Sequence, residues 1–219
     1  MHYKDVIDNV SVLGSETLLR HYSGPGAQYF KSTIEQTLHL DLYSYLQDTI
    51  LIEVACGASS VFLSIQSPLT KIGIDPMPFS DWVIAHYGEI GAKILTMSGE
   101  DFRLRNELDS IEDMNRAHFK KVVIFTNALQ HFRSLNDFFL NLSNQIGEHD
   151  LVFLEFLNIP ADRAHPQILT KKRLNSLLRK FRYEILNSAT VVSKLPGFIE
   201  QGNGLDIEMY VVNARGFSK

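Results

Sequence analysis

Cysteine is almost absent from this chain: the 219 residues contain one, Cys56. A single thiol excludes an intramolecular disulfide and every metal site that needs several cysteines. Nothing in the sequence therefore requires an oxidising compartment. We expect a cytoplasmic protein, with Cys56 as a small packing residue rather than a nucleophile, because no histidine and amide partners can be assigned to it.

The chain also lacks a strong charge of either sign and a long apolar run. Its net charge is −4, and the lysines and arginines are scattered apart from short groups such as 171–173. We therefore expect neither nucleic acid nor an anionic membrane surface as a partner. No apolar run approaches the roughly 20 residues that a bilayer requires. The first eight residues carry charge where a signal peptide would be apolar.

Several sequence motifs are missing as well. A Walker phosphate loop and a Gly-x-Ser-x-Gly elbow are absent, which excludes P-loop nucleotide hydrolysis and the usual α/β-hydrolase chemistry. No His-Glu-x-x-His pair occurs, and we expect no metal site. Low-complexity tracts, repeats and Pro-rich linkers are also absent, so a single compact unit is the simplest organisation for a chain that is 45% hydrophobic.

Two regions differ in their hydrophobic pattern. Residues 1–48 have helical spacing, interrupted at Ser23-Gly24-Pro25-Gly26, which predicts a helical cap or lid. Residues 49–219 form the main domain, where short apolar runs alternate with amphipathic stretches. The runs lie at 50–54, 71–75, 93–97, 121–126 and 150–156. Strands that are apolar on both faces and alternate with helices predict a parallel sheet covered by helices.

The end of the chain departs from this alternation. A helical stretch at 169–178 is followed by two strand-like runs, 183–186 and 207–214, with no helix-length pattern between them. Glycines occur in the connection. These runs therefore predict an antiparallel pair that closes the sheet.

Two acidic residues lie at the ends of the first two predicted strands. The first strand ends in Glu53 and a turn of small residues with one glycine, Ala55-Cys56-Gly57. Asp75 ends the second strand roughly twenty residues later, where a carboxylate can accept both hydroxyls of a ribose. This arrangement predicts a nucleoside-cofactor site, although a dinucleotide would use the same two elements.

Five segments together resemble the motifs of class I S-adenosylmethionine-dependent methyltransferases over roughly residues 45–215. They are Leu51–Ser59, Gly73–Met77, Met97–Phe102, Phe125–Phe132 and Leu151–Phe156. The resemblance implies a Rossmann-like α/β fold: a seven-stranded, mostly parallel sheet with helices on both faces and an antiparallel last strand, plus a helical N-terminal cap.

The resemblance also implies a cofactor, S-adenosyl-L-methionine, and its product S-adenosyl-L-homocysteine. Glu53 is expected near the amino end of the cofactor, Asp75 at the ribose, and the segment Gly99–Phe102 at the adenine. Only Gly57 is expected to need a positive φ, because alanine and serine adopt it at a cost. The expected cofactor residues are Glu53, Ala55, Cys56, Gly57, Asp75, Pro76, Met77, Gly99, Glu100, Asp101, Phe102 and Asn127.

Fewer signals point to the catalytic and acceptor-binding residues. Methyl transfer depends mainly on an in-line arrangement, and a base is needed only if the acceptor must lose a proton. His131 has a suitable pKa range, although a histidine at a helix start is often a cap, and Glu155 follows the fifth strand. The candidate residues for binding the acceptor are His21, Tyr22, Tyr29 and Asn158.

We therefore expect a methyltransferase that acts on O or N of a small-molecule acceptor. Two alternatives stay open. The reduced number of glycines in the first turn and the absence of an Asn-Pro-Pro-Tyr motif are also compatible with a catalytically inactive partner or regulatory protein of the same fold. A macromolecular acceptor is the other alternative, and a homodimer is compatible with the sequence.

Overall fold

The structure is a computed structural model of the 219-residue chain. It describes residues 31–32, 35–36, 39, 41–47, 49–57, 65, 70–103, 120–126, 128–157, 167–192 and 206–214. The predicted cap at residues 1–48 lies largely outside the described residues.

The bounds of seven strands and four α-helices are described, and residues 31–32 and 35–36 are also helical. The strands are β1 Thr49–Val54, β2 Thr70–Asp75, β3 Ala92–Thr96, β4 Lys120–Phe125, β5 Leu151–Leu157, β6 Tyr183–Val192 and β7 Asp206–Ala214. The helices are α1 Leu42–Leu46, α2 Asp81–Glu89, α3 Leu135–Ser143 and α4 Lys171–Lys180, and a 3-10 turn spans Leu129–His131.

The strands form one sheet in the order β3-β2-β1-β4-β5-β7-β6. Strands β1 to β5 pair in parallel, and β7 is antiparallel to both of its neighbours, β5 and β6. This confirms the predicted seven-stranded, mostly parallel sheet and its antiparallel last strand. The chain leaves β1 toward β2 and β3 on one side and later returns to β4 on the other, so the carboxyl ends of β1 and β4 flank the switch point where such sheets bind ligands.

Strand β6 is longer than the sequence pattern predicted. It runs to Val192 rather than ending near Leu186. The register shifts between Ile185 and Asn187, and this bulge moves the alternation of side chains by one position. Polar residues follow the bulge, at Ser188 and Thr190, because β6 is the edge of the sheet and has solvent on its outer side. The apolar pattern therefore marks only the first part of the strand.

Helices cover both faces of the sheet, as predicted. On one face, α3 and α4 pack their apolar stripes onto alternate residues of β1, β4 and β5. On the other face, α1 contributes Leu42 and Leu46, and α2 contributes Val83 and Tyr87. We call this second surface the α1–α2 face.

The helix starts are set by local side chains. Ser134 accepts a hydrogen bond from the Asp137 N–H at the start of α3, and Thr170 accepts one from the Arg173 N–H at the start of α4. Among the described residues, no helix combines the length and the apolar character that crossing a bilayer requires.

Candidate functional site

Glu53 and Asp75 lie at the carboxyl ends of two neighbouring strands. Side chains alternate along a strand, and Leu51 belongs to the α1–α2 face, so Glu53 two residues later belongs to it too. Asp75 lies on this face by the same alternation, because Gly73 packs there against Cys56. Both acids are only 1% exposed. The two carboxylates predicted to bind the cofactor are therefore brought to one edge and one face of the sheet.

The carboxylate of Asp75 fixes the local backbone. Its Oδ2 accepts a hydrogen bond from the Gly57 N–H at 3.0 Å, and its Oδ1 accepts one from the Met77 N–H at 2.9 Å. Asp75 thus connects the end of β2 to the turn after β1 while its oxygens are held in a fixed orientation.

The turn after β1 contains two residues with positive φ. Gly57 has φ +57°, as expected, and Ala55 has φ +58°. The expectation that Gly57 alone adopts this conformation is therefore wrong. The N–H groups of Ala55 and Cys56 both donate to the Ile74 carbonyl, at 2.7 and 3.3 Å, which holds the chain against β2 as it leaves the strand. Ala55 therefore takes a backbone conformation that favours glycine.

Replacing Ala55 with glycine should consequently stabilise the protein. Alanine in the left-handed region is strained, and glycine is not, so we expect Ala55→Gly to raise the free energy of unfolding by about 0.5–1 kcal/mol. Urea denaturation followed by circular dichroism measures this change. The matched control is Ala85→Gly in the exposed face of α2, where the same substitution should cost about 1 kcal/mol. A loss of stability in both variants would contradict the strain at Ala55.

The side chains of Tyr87 and Cys56 hold the turn in place through buried contacts. The Tyr87 hydroxyl, buried in the α1–α2 face, donates a hydrogen bond to the Gly57 carbonyl at 2.8 Å. The Cys56 side chain is buried against Gly73, where an added Cβ would lie 2.8 Å from Sγ. Burial, followed by the nearby charges of Glu53 and Asp75, raises the pKa of the Cys56 thiol well above its usual range. Cys56 is therefore a neutral packing residue of this turn.

The segment after β3 is anchored to α3. The Glu100 carboxylate accepts the Ser134 N–H at 2.9 Å and the Ser98 hydroxyl at 3.1 Å. The amide of Asn141 donates to the carbonyls of Glu100 and Phe102. Glu100 thus helps fix the start of α3, and Asp101 is the exposed acid of the pair.

The position of Phe102 does not match its expected role beside the adenine. Its side chain is 5% exposed and belongs to the core under α3 and α4, so it does not offer an open ring face for an adenine. Gly99 is also buried, in contact with Val54 and Phe132. The glycine and the aromatic residue of this segment therefore serve packing.

The end of β4 contributes a polar contact to the site. The Thr126 hydroxyl donates to Glu53 Oε1 at 3.3 Å, which orients this buried carboxylate.

The remaining predicted residues lie near the carboxyl edge with different exposures. His131 is exposed and ends the 3-10 turn Leu129–His131. Glu155 does not follow the fifth strand as expected but lies within β5, two residues before its end. It is partly exposed, and burial raises its pKa to about 8. Pro76 is exposed and Met77 partly exposed, directly after β2.

The described residues include only part of the predicted site, and they add two side chains that the sequence did not predict. The predicted residues His21, Tyr22, Tyr29, Asn127 and Asn158 lie outside the described residues. Thr126 and Tyr87 were not predicted to take part. The only sequence signal for them is position: one follows a strand directly, and the other is a tyrosine in an otherwise apolar helix face. Within the described ranges, no group of three or more metal-binding side chains is brought together.

Comparison with solved structures identifies the fold. One similar structure is magnesium protoporphyrin IX methyltransferase from Synechocystis PCC 6803 with bound S-adenosylhomocysteine, which is 11% identical to this chain with a TM-score of 0.60. The match covers 97% of this chain and 99% of the Synechocystis chain. A 1,6-didemethyltoxoflavin N1-methyltransferase from Burkholderia thailandensis is 13% identical with a TM-score of 0.58, and the match covers 94% of this chain and 89% of the Burkholderia chain. An S-adenosylmethionine-dependent methyltransferase from Methanosarcina mazei is 13% identical with a TM-score of 0.54, covering 80% and 97%.

The fold is that of class I S-adenosylmethionine-dependent methyltransferases. No protein-family model and no curated protein matches the sequence. At 11–13% identity the methyltransferase fold is what these structures share with the chain. Activity and acceptor must be argued from the residues at the carboxyl edge.

Proposed function

We propose that this protein is an S-adenosylmethionine-dependent methyltransferase that transfers a methyl group to O or N of a small-molecule acceptor. One observation carries the proposal. In a methyltransferase fold, Glu53 and Asp75 occupy the carboxyl ends of β1 and β2 on one face, and Asp75 binds the backbone of the left-handed turn between them. Asp75 and the turn form one hydrogen-bonded unit, and Glu53 lies beside it on the neighbouring strand.

Each of these residues has a chemical role in the proposed complex. Asp75 accepts hydrogen bonds from the ribose hydroxyls, and Glu53, oriented by Thr126, attracts the ammonium group of the methionine part. The turn at Ala55 and Gly57 lets the backbone approach the ligand closely. The cofactor supplies a methyl group activated by its own sulfonium. The protein contributes binding, orientation and exclusion of water, which together account for much of the acceleration in such reactions.

The acceptors named for similar structures support the choice of a small molecule. The Burkholderia structure contains 1,6-didemethyltoxoflavin, and the Synechocystis enzyme is named for magnesium protoporphyrin IX. The chain's net charge of −4 also gives no reason to favour a nucleic acid. We further infer a cytoplasmic location from the single cysteine, Cys56, which is not in a disulfide.

Transfer of a labelled methyl group tests the proposal. The protein is incubated with S-adenosylmethionine labelled in its methyl group and, in separate reactions, with the dialysable small molecules, the purified RNA and the protein of a cell extract. We expect the label to enter the dialysable fraction. Label in the RNA or protein fraction would replace the small-molecule acceptor with a macromolecular one.

A second candidate is an inactive protein of the same fold, and one observation favours it. Glu53 and Asp75 are both 1% exposed, so a bound ligand must displace groups that cover them. If the protein binds S-adenosylhomocysteine but labels none of the three fractions, the inactive alternative is correct.

A further inference from the structure

Charge is distributed unevenly along the α1–α2 face of the sheet. Lys71 on β2 and Lys120 on β4 lie toward the amino ends of their strands. Lys71 donates to the Ile90 carbonyl, and Lys120 lies 4.0 Å from the centre of the Tyr45 ring. The carboxyl ends on this face instead carry acids, Glu53, Asp75 and Glu155. The edge where an acceptor must bind therefore carries carboxyl groups, whereas the amino ends of the strands carry lysines.

Glu155 extends this row of acids by register. Phe153 belongs to the α1–α2 face, so Glu155 two residues later shares it. Phe125 pairs with Leu154, which places Glu155 next to Thr126, and Thr126 donates to Glu53. Two strand spacings separate β5 from β1, about 10 Å across the sheet. Thr126, directly after β4, lies between the two acids, and Glu155 is two residues further toward the carboxyl edge than Glu53.

The surroundings of Glu155 contain no compensating charge among the described residues. Its neighbour on β7 is Met209, flanked on that face by Ile207 and Val211. The titratable groups on the other elements packed against this face are Glu53 and Asp75, with Lys71 and Lys120 at the opposite end. Tyr45 on α1, Tyr87 on α2 and the Cys56 thiol in the turn after β1 also lie there. Glu155 is partly exposed, so an incoming molecule has access to it.

We propose that Glu155 is the base that takes the proton of the acceptor, and that the acceptor is an amine or hydroxyl compound without a negative charge at the reacting end. This inference rests on the proposed methyltransferase function. The acceptor's lone pair forms the new bond to the methyl carbon, the carbon–sulfur bond breaks, and its electron pair stays on sulfur as a neutral thioether. The proton lost from N or O passes to a Glu155 oxygen. A carboxylate or phosphate acceptor would need no base and would be repelled by this edge.

The protonation of Glu155 can be measured without an acceptor. Its pKa is raised from 4.5 to about 8 because burial disfavours the charged form. Between about pH 4.5 and pH 8 the folded protein therefore keeps a proton that the unfolded chain releases, and the free energy of unfolding falls as the pH rises through this range. We expect the thermal midpoint of the wild type to fall relative to that of Glu155→Gln between pH 5 and pH 9. Parallel curves would contradict the raised pKa.

Turnover tests the role itself, with the dialysable extract and methyl-labelled S-adenosylmethionine as probes. We expect Glu155→Gln to lower the labelling rate by roughly 100-fold or more and to remove a rise in rate near pH 8. Glu155→Asp should retain part of the rate and the pH dependence. The control Glu184→Gln, exposed on β6, should match the wild type. All variants should bind S-adenosylhomocysteine within twofold of the wild type.

The outcomes separate this inference from the proposed function. If the wild type transfers label and Glu155→Gln transfers it equally fast, Glu155 is not the base. If the labelled product releases methanol in mild alkali, the acceptor is a carboxylate and the inference is wrong. If the wild type binds S-adenosylhomocysteine but transfers nothing, the proposed activity fails and this inference fails with it.

Discussion

Asp75→Ala is expected to lower the free energy of unfolding by about 3 kcal/mol and to weaken binding of S-adenosylhomocysteine by at least roughly 100-fold. The structural loss arises because the carboxylate accepts the N–H groups of Gly57 and Met77, and both lose a charged acceptor at a buried position. The binding loss arises because the same oxygens are proposed to accept the ribose hydroxyls. Urea denaturation measures the first effect, and calorimetric titration measures the second.

Two further variants separate structure from binding at this position. Asp75→Asn keeps the shape and one acceptor oxygen, so it should unfold less readily than Asp75→Ala yet still bind the ligand poorly. Asp81→Ala removes an exposed acid from the first turn of α2. The lost interaction with the helix dipole should lower the free energy of unfolding by about 0.5 kcal/mol, and the variant should bind the ligand normally. Normal ligand affinity in a folded Asp75→Ala protein would show that the ribose is not bound there.

Gly99→Ala is expected to destabilise the protein by about 2–3 kcal/mol, because the added methyl group has no space. Its Cβ would lie 2.5 Å from Cγ1 of Val54 and 2.9 Å from the Phe132 ring. Val54 ends β1 in the core, and the Phe132 ring stacks on Phe138 at 4.3 Å, so neither neighbour can move freely. Chemical denaturation gives the value directly.

Gly88→Ala is the matched control and should have the opposite sign. Gly88 lies in α2 and is exposed, and a Cβ added there would have no neighbouring atom within 4 Å. Alanine should therefore stabilise the helix by about 0.5–1 kcal/mol. If Gly99→Ala were as well tolerated as Gly88→Ala, the close packing of Gly99 against Val54 and Phe132 would be contradicted.

The parallel part of the fold could be predicted because its strands are apolar on both faces. The run Ile50-Leu51-Ile52 needs a helix layer on each side of the sheet, and this is where α1 and α3 pack. The end of β6 could not be predicted. Asn187, Ser188 and Thr190 lie on an edge strand after a bulge, and polar residues there have no distinct pattern.

The candidate site could be predicted in outline but not in its contacts. The acids Glu53 and Asp75 stand out because each lies at the end of a buried strand. The positive φ of Ala55 depends on a hydrogen bond to Ile74, a partner from another strand that no local pattern reveals. The burial of Phe102 and the attachment of Glu100 to Ser134 likewise depend on where α3 packs.

Calorimetric titration of the wild-type protein with S-adenosylhomocysteine tests the central claim most directly. The claim is that the unit formed by Glu53, Asp75 and the turn at Gly57 binds this nucleoside. We predict one site per chain with an affinity in the micromolar range, and a loss of at least roughly 100-fold in Asp75→Asn, which is about 2.7 kcal/mol. No heat of binding and no thermal shift at millimolar ligand would contradict the claim.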